Sequence, residues 1–160
     1  MFPERYKLIF MSFLAVLICY IDRVNISVAI IPMQQQFGWS ESQVGLILGS
    51  FYFGYVFTMM LGGYLADKFG GKVVLAYGVL LWSIFTVVTP LFAYSGFWFL
   101  ILIRVLMGLG EGITFPSWHA LYARWIPFNE RTRAIAFTNS GMSFGTVFGY
   151  ALAAIIIQYY

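Results

Sequence analysis

Residues 104–125 read RVLMGLGEGITFPSWHALYARW and carry Arg104, Glu111 and His119 on one long apolar segment. The seven residues before it, 97–103, are apolar throughout. Nothing before Arg124 interrupts the stretch, so a single membrane-spanning helix over 97–124 is expected. A helix turns ~100° per residue, so Arg104 and Glu111 point nearly the same way two turns apart. A charge at the centre of a bilayer costs ~2.5–3.5 kcal/mol on the insertion scale. Such residues persist only on a face that looks into protein or a water-filled path. One reading is a functional site. The other is a structural ion pair inside a helix bundle. His119 lies further along, close to the expected membrane boundary, and reads as a hydrogen-bonded structural or interfacial histidine.

The rest of the chain has the same character. Its 160 residues are 61% hydrophobic and 9% charged, whereas a soluble domain is about 45–50% apolar and about 25% charged. Apolar runs over 8–31, 44–66, 73–94, 97–124 and 134–160 are long enough to cross a bilayer, so an all-α polytopic membrane protein with five transmembrane helices is expected. A polar loop is expected over 32–43, a tight charged turn over 67–72, a hinge at Ser95-Gly96 and a charged loop over 127–133. The first run is too long for a cleavable signal and contains Asp22 and Arg23. Cys19 is the only cysteine, so no intramolecular disulfide can form. The net charge of +3 is spread over short loops, which excludes a nucleic-acid-binding patch. No Walker loop or HExxH is present, and GMSFG at 141–145 lacks the context of a nucleophile elbow, so neither ATP-driven transport by this chain nor an enzyme is expected. No cofactor and no metal site are expected.

The positive charges orient the helices. Arg5 and Lys7 precede the first span, Lys68 and Lys72 separate the second and third, and Arg124, Arg131 and Arg133 separate the fourth and fifth. The two remaining basic residues, Arg23 and Arg104, lie inside spans. By the positive-inside rule the N terminus is cytoplasmic. Glycines four apart mark faces where helices can approach: Gly45 with Gly49, Gly108 with Gly112, and Gly141, Gly145 and Gly149.

At ~1.5 Å per residue, Asp22 lies about 22 Å above Lys7 and Arg104 about 10 Å below the outer end of its span, at similar depth. Arg23 shares a helix face with the hydroxyls of Tyr20 and Ser27, and Asp22 shares one with Asn25. Tyr52 and Tyr55 can add hydroxyls to the same path. Asp22 and Glu111 are the only carboxylates inside spans.

These stretches resemble a known family. YLADKFGGK at 64–72, with Gly63, Asp67, Lys68, Gly70 and Lys72, resembles the signature between spans two and three of the major facilitator superfamily. Arg104, Gly108 and Gly110 resemble its fourth-span motif. YIDRVNISVAI at 20–30, with Glu111, Gly112, Pro116, Trp125, Pro127, Glu130 and Arg131, is similar to the anion:cation symporters within it. That group includes bacterial sugar-acid transporters, sodium/phosphate-type carriers, sialin and vesicular glutamate transporters.

The resemblance implies roles. Arg23 would hold an anionic substrate, and Arg104 and Glu111 match the fourth-span pair that couples it to protons; Tyr20, Tyr55 and Arg104 are further substrate-binding candidates. Asp22 and Glu111 are the proton-coupling candidates. Gly63, Asp67, Lys68, Gly70 and Lys72 would form a conformational latch. Leu48 stands where vesicular members carry a histidine, and those members lack the acid at Asp22, which argues against a vesicular glutamate role.

The family has two six-helix bundles, so five spans correspond to a partial N-terminal domain over 1–160 without the sixth helix and the second bundle. The expected function of the full-length protein is proton-coupled symport of a sugar acid, another carboxylate or phosphate, with sodium as an alternative coupling ion. Its partners are then the anion, the proton, the lipid bilayer and the C-terminal half, and its location is the inner cell membrane. The piece alone is expected to be inactive, its Gly141–Gly149 face lacking a neighbour. An alternative is a truncated interaction module that associates with a full-length transporter.

Overall fold

Helix follows helix from Glu4 onward, because in lipid each backbone polar group must be satisfied within its own segment. The computed structural model describes residues 4–159, with side chains to 156. Six helices run in order: α1 Glu4–Phe37, α2 Glu41–Phe69, α3 Gly71–Ser95, α4 Phe97–Gly112, α5 Thr114–Trp125 and α6 Phe128–Tyr159. Among the described residues there is no strand. With α4 and α5 taken together, five segments are long and apolar enough to cross a membrane.

The connections are shorter than expected. The loop placed at 32–43 shrinks to residues 38–40, because α1 continues through Pro32 to Phe37. Hydropathy marks the membrane edge, whereas a helix ends only where its hydrogen bonding is interrupted. Ser40 then starts α2 with a capping box: its hydroxyl accepts from the Gln43 amide at 3.3 Å, and the Gln43 side chain accepts from the Ser40 amide at 2.9 Å. The charged turn at 67–72 is mostly helical too, and only Gly70, at φ 89°, separates α2 from α3. Gly96, at φ 130°, alone separates α3 from α4. Both angles disfavour any residue with a Cβ. The loop at 127–133 is replaced by the first turns of α6.

The fourth span, expected as a single helix over 97–124, is not continuous. It breaks at Ile113, between α4 and α5. Pro116 has no amide hydrogen to offer the carbonyl four residues back, and a proline is tolerated in a helix's first turn. Ser117 restores the pattern, donating to the Ile113 carbonyl through both its amide at 3.2 Å and its hydroxyl at 2.6 Å.

Two compact units result. In one, α1 pairs with α6. Gly141, Gly145 and Gly149 lie where a Cβ would meet Phe13, Leu17, Tyr20, Ile21 and Val24 of α1. The expectation that this glycine face lacks its neighbour is therefore corrected: α1 is the neighbour. Phe13 also packs its ring on Phe137 at 5.0 Å and edge-on against Phe144 at 6.4 Å. At the charged end Arg5 lies 3.5 Å from Glu130.

In the other unit α4 packs on α2 and α3. Gly108 and Gly112 face the Phe51 and Tyr55 carbonyls of α2, and Gly54 of α2 faces the Val105 carbonyl of α4. Gly78 and Gly110 bring α3 to the same helix, while Gly62 and Gly71 receive Pro116, Ser117 and Leu121 around α5. Lipid offers no hydrophobic gain for helix association, so close van der Waals contact must supply it. Gly45 and Gly49 fit the same pattern in the sequence, yet open space surrounds both. Gly108→Val should therefore abolish a folded, monodisperse peak when the tagged 160-residue chain is chromatographed in detergent, because a backbone carbonyl cannot turn aside. Gly49→Val should leave that peak unchanged. Equal behaviour of the two would contradict the α2–α4 register.

Candidate functional site

The charged residues inside the spans fall in both units. On α1, Tyr20 precedes Arg23 by three residues, which brings their side chains onto one face. The Arg23 guanidinium lies 5.0 Å from the centre of the Tyr20 ring, a cation–π contact. Tyr20 is itself held by the approach of Gly145. Tyr20, Asp22 and Arg23 are all half-buried. The Ser27 hydroxyl, expected to face the same path, instead donates to the Arg23 backbone carbonyl at 3.2 Å. A serine one turn along a helix takes up the carbonyl behind it when nothing stronger is in reach. Asn25 has a buried side-chain oxygen with no hydrogen-bond partner among the described residues.

On α4, Arg104 is 3% exposed and Glu111 is fully enclosed. The seven-residue spacing thus does what the sequence implied and puts both on an interior face. The Arg104 guanidinium lies 5.0 Å from the Phe51 ring centre, and its Nη1 donates to the Met107 sulfur at 3.4 Å. Tyr55 stacks on Phe51 at 5.7 Å and is half-buried. Tyr52, which was expected to add a hydroxyl, is 51% exposed and meets the Phe51 ring edge-on at 5.4 Å. Three steps of ~100° leave the two tyrosines about 60° apart around the helix. His119 is exposed and stacks on the buried Trp118 ring at 3.7 Å, outside the enclosed pair.

Phe51 and Met107 were not found from sequence. Met107 carried a signal, since it sits three residues after Arg104 on the same helix face. Phe51 carried none among 17 phenylalanines, because only the register of α2 against α4 brings it to Arg104.

The charged turn shows a third arrangement. Asp67 Oδ1 lies 3.9 Å from Arg124 Nη2, with side chains 78% and 57% exposed. A pair this exposed contributes about 0–1 kcal/mol, so it suits a contact that opens and closes. From the sequence Arg124 is legible only as an orienting charge. Lys68 lies over the rings of Tyr64 and Phe69 at 5.8 and 5.4 Å, and Lys72 is exposed. Gly70 makes the turn, while Gly63 faces open space and its neighbour Gly62 makes the helix contact.

No group of three or more His, Cys, Asp or Glu among the described residues is placed to hold a metal ion. An open groove of about 800 Å³ between the first turns of α1 and α6, lined by Tyr6, Lys7, Phe10, Glu130, Arg133 and Phe137, contains none of the candidate residues.

Comparison with known proteins agrees with this architecture. The sequence model of the Major Facilitator Superfamily matches residues 12–160. "Probable anion transporter 4, chloroplastic" of Oryza sativa subsp. japonica is 48% identical over 157 residues, covering 98% of this chain and 27% of its own. "Ascorbate transporter, chloroplastic" of Arabidopsis thaliana is 47% identical over 156 residues, covering 98% and 29%. "Sodium-dependent phosphate transport protein 1, chloroplastic" of Arabidopsis thaliana is 43% identical over 157 residues, covering 98% and 31%. The chain thus spans under a third of the length of these relatives.

Proposed function

The chain belongs to the Major Facilitator Superfamily, a family of transporters rather than enzymes, and from that membership we propose that it is the partial N-terminal domain of a secondary transporter for an oxygen-rich anion. The enclosed pair of Arg104 and Glu111 on one membrane-spanning helix carries this reading. A guanidinium in the membrane interior can pair with a carboxylate or phosphate through parallel hydrogen bonds. An enclosed carboxylate on the same face can serve as a proton relay. Arg23, on its cation–π contact with Tyr20, supplies a second site for the anion, with Tyr55 beside Arg104's ring partner.

The relatives' names mention anions, ascorbate and phosphate. They support an organic oxyanion or phosphate as the substrate class. One name mentions sodium, so proton coupling rests on Asp22 and Glu111 alone. The names favour a chloroplast membrane over the inner cell membrane expected from the bacterial resemblance. Asp67, Lys68, Gly70 and Lys72, with Arg124 added, form the latch in this proposal, and Gly63 is the member with least structural support.

The test is uptake by proteoliposomes containing the full-length transporter. Ascorbate, a sugar acid and phosphate are offered under imposed pH or sodium gradients. Saturable accumulation under an inward proton gradient, abolished by an uncoupler, is expected. Accumulation under a sodium gradient alone would replace the proton, and none with any anion would overturn the reading. Vesicles holding only residues 1–160 should accumulate nothing, because rocking of one bundle against another requires both. Transport by the short chain would instead demand an oligomer of five-span units.

Orientation has its own measurement. Cysteines at the exposed positions Gln35 and Ser95 should react with an impermeant thiol reagent from the side opposite the N terminus, and one at Lys72 from the same side. Lys72 serves better than the adjacent Gly71, where a side chain would strike the Ser117 carbonyl. Labelling of all three from one side would break the proposed topology.

A further inference from the structure

Arg104 meets two side chains that charge alone would not select. Its guanidinium carbon is 5.0 Å from the centre of the Phe51 ring, and its Nη1 donates to the Met107 sulfur at 3.4 Å. The Thr86 hydroxyl of α3, which donates to the Trp82 carbonyl at 2.9 Å, lies 3.9 Å from the same sulfur. Phe51 is 1% exposed and Met107 3%. The Phe51 ring is fixed from its other sides by Tyr55, stacked at 5.7 Å, and Tyr52, edge-on at 5.4 Å. Its backbone is fixed as well, since the Phe51 carbonyl occupies the space a Cβ on Gly108 would need. Ring, sulfur and guanidinium therefore form one packed set across α2, α3 and α4.

We propose that Phe51, assisted by Met107, is a positioning residue that sets the plane of the Arg104 guanidinium for the anion. The face of an aromatic ring attracts a cation through its quadrupole, and a thioether is a weak hydrogen-bond acceptor. Neither group carries a formal charge. Both can hold the guanidinium in place without competing for it as a carboxylate would. A guanidinium recognises an oxyanion through a planar fork, so its orientation decides whether two hydrogen bonds form or one. The set also joins Arg104 to α2 and α3, so its orientation follows the packing of three helices rather than its own rotamer. This inference rests on the proposed role of Arg104 in holding the anion.

The experiment replaces Phe51 in the full-length transporter with phenylalanines bearing one, two and three ring fluorines. Size is retained while the negative face weakens stepwise. Uptake of the best anion in proteoliposomes is read as KM and maximal rate, with the melting temperature measured alongside. KM should rise with each fluorine while maximal rate and melting temperature hold. Phe51→Leu should raise KM by about tenfold, as expected for loss of a desolvated cation–π contact, and Phe51→Trp should restore it. Met107→Leu should raise KM less. If Phe51→Leu fails to fold, the fluorinated series still decides. A flat KM across that series overturns the positioning role. Arg104→Gln separates this failure from that of the underlying reading. If Arg104→Gln loses anion binding while the series is flat, only the Phe51 inference falls. If Arg104→Gln keeps the original KM, Arg104 does not hold the anion and both fall.

Discussion

Arg23→Lys in the full-length transporter should raise the KM for the anion by about ten- to hundredfold although the formal charge is kept. A hydrogen bond to a charged group is worth about 1.5–3 kcal/mol, and about 1.4 kcal/mol is a factor of ten. Lysine offers a point charge on a flexible stem, so it cannot reproduce the second arm of the guanidinium fork. It would also stack less well on the Tyr20 ring, which lies 5.0 Å from the guanidinium. Tyr20→Leu should accordingly weaken binding, by less than Arg23→Lys, since it removes the platform and leaves the fork. Direct binding of a radiolabelled anion, measured beside uptake, separates affinity from turnover. Near-normal affinity in Arg23→Lys would move the anion site away from α1 and leave Arg104 as its centre.

The second large effect is expected at Glu111. Glu111→Gln should abolish accumulation driven by a proton gradient while leaving exchange of internal for external anion measurable. The side chain is fully enclosed on α4. Carboxylates enclosed within membrane spans serve as proton relays in pumps and transporters. A cycle that loads and unloads a proton at Glu111 would carry one proton per turn, and glutamine, which keeps the shape, cannot take it up. Exchange needs only the reorientation of a loaded site, so it should survive. Asp22→Asn provides the companion measurement, because Asp22 is the other carboxylate within an apolar run of the sequence. If both variants accumulate anion with unchanged pH dependence, neither residue relays the proton.

The residues at issue were legible to different degrees. Arg23, Arg104, Asp22 and Glu111 stand out because a charge inside an apolar run is costly whatever surrounds it. Phe51 does not, since an aromatic side chain in an apolar run is equally at home against lipid, and Met107 is marked only by lying three residues after Arg104. Tyr52 and Tyr55 read alike as members of one aromatic cluster, but Tyr52 is exposed and Tyr55 stacks on Phe51. The glycines make the same point. Gly108 and Gly49 both sit in a four-residue repeat, but only Gly108 has a helix backbone against it. Arg124 counted as one more positive charge until the ends of α2 and α5 brought it 3.9 Å from Asp67.

The sequence alone determined what depends on sums over a single segment. Five spans, their all-α character, the family and the charged residues within the spans follow from hydropathy, charge and motif spacing, because transfer into lipid is decided segment by segment. Tertiary structure decided what depends on the register of one helix against another. It chose which glycines are contacts, which tyrosine is half-buried and which ring Arg104 rests on. It also showed the break at Ile113 and the helical turns at 32–37, which hydropathy cannot detect because it averages over both sides of a helix and is blind to where the backbone's hydrogen bonds end. The physical reason is common to all of these. Helix packing in lipid rests on van der Waals contact with short reach, so which residues meet is set by the partner helix, and no window along one segment contains that information.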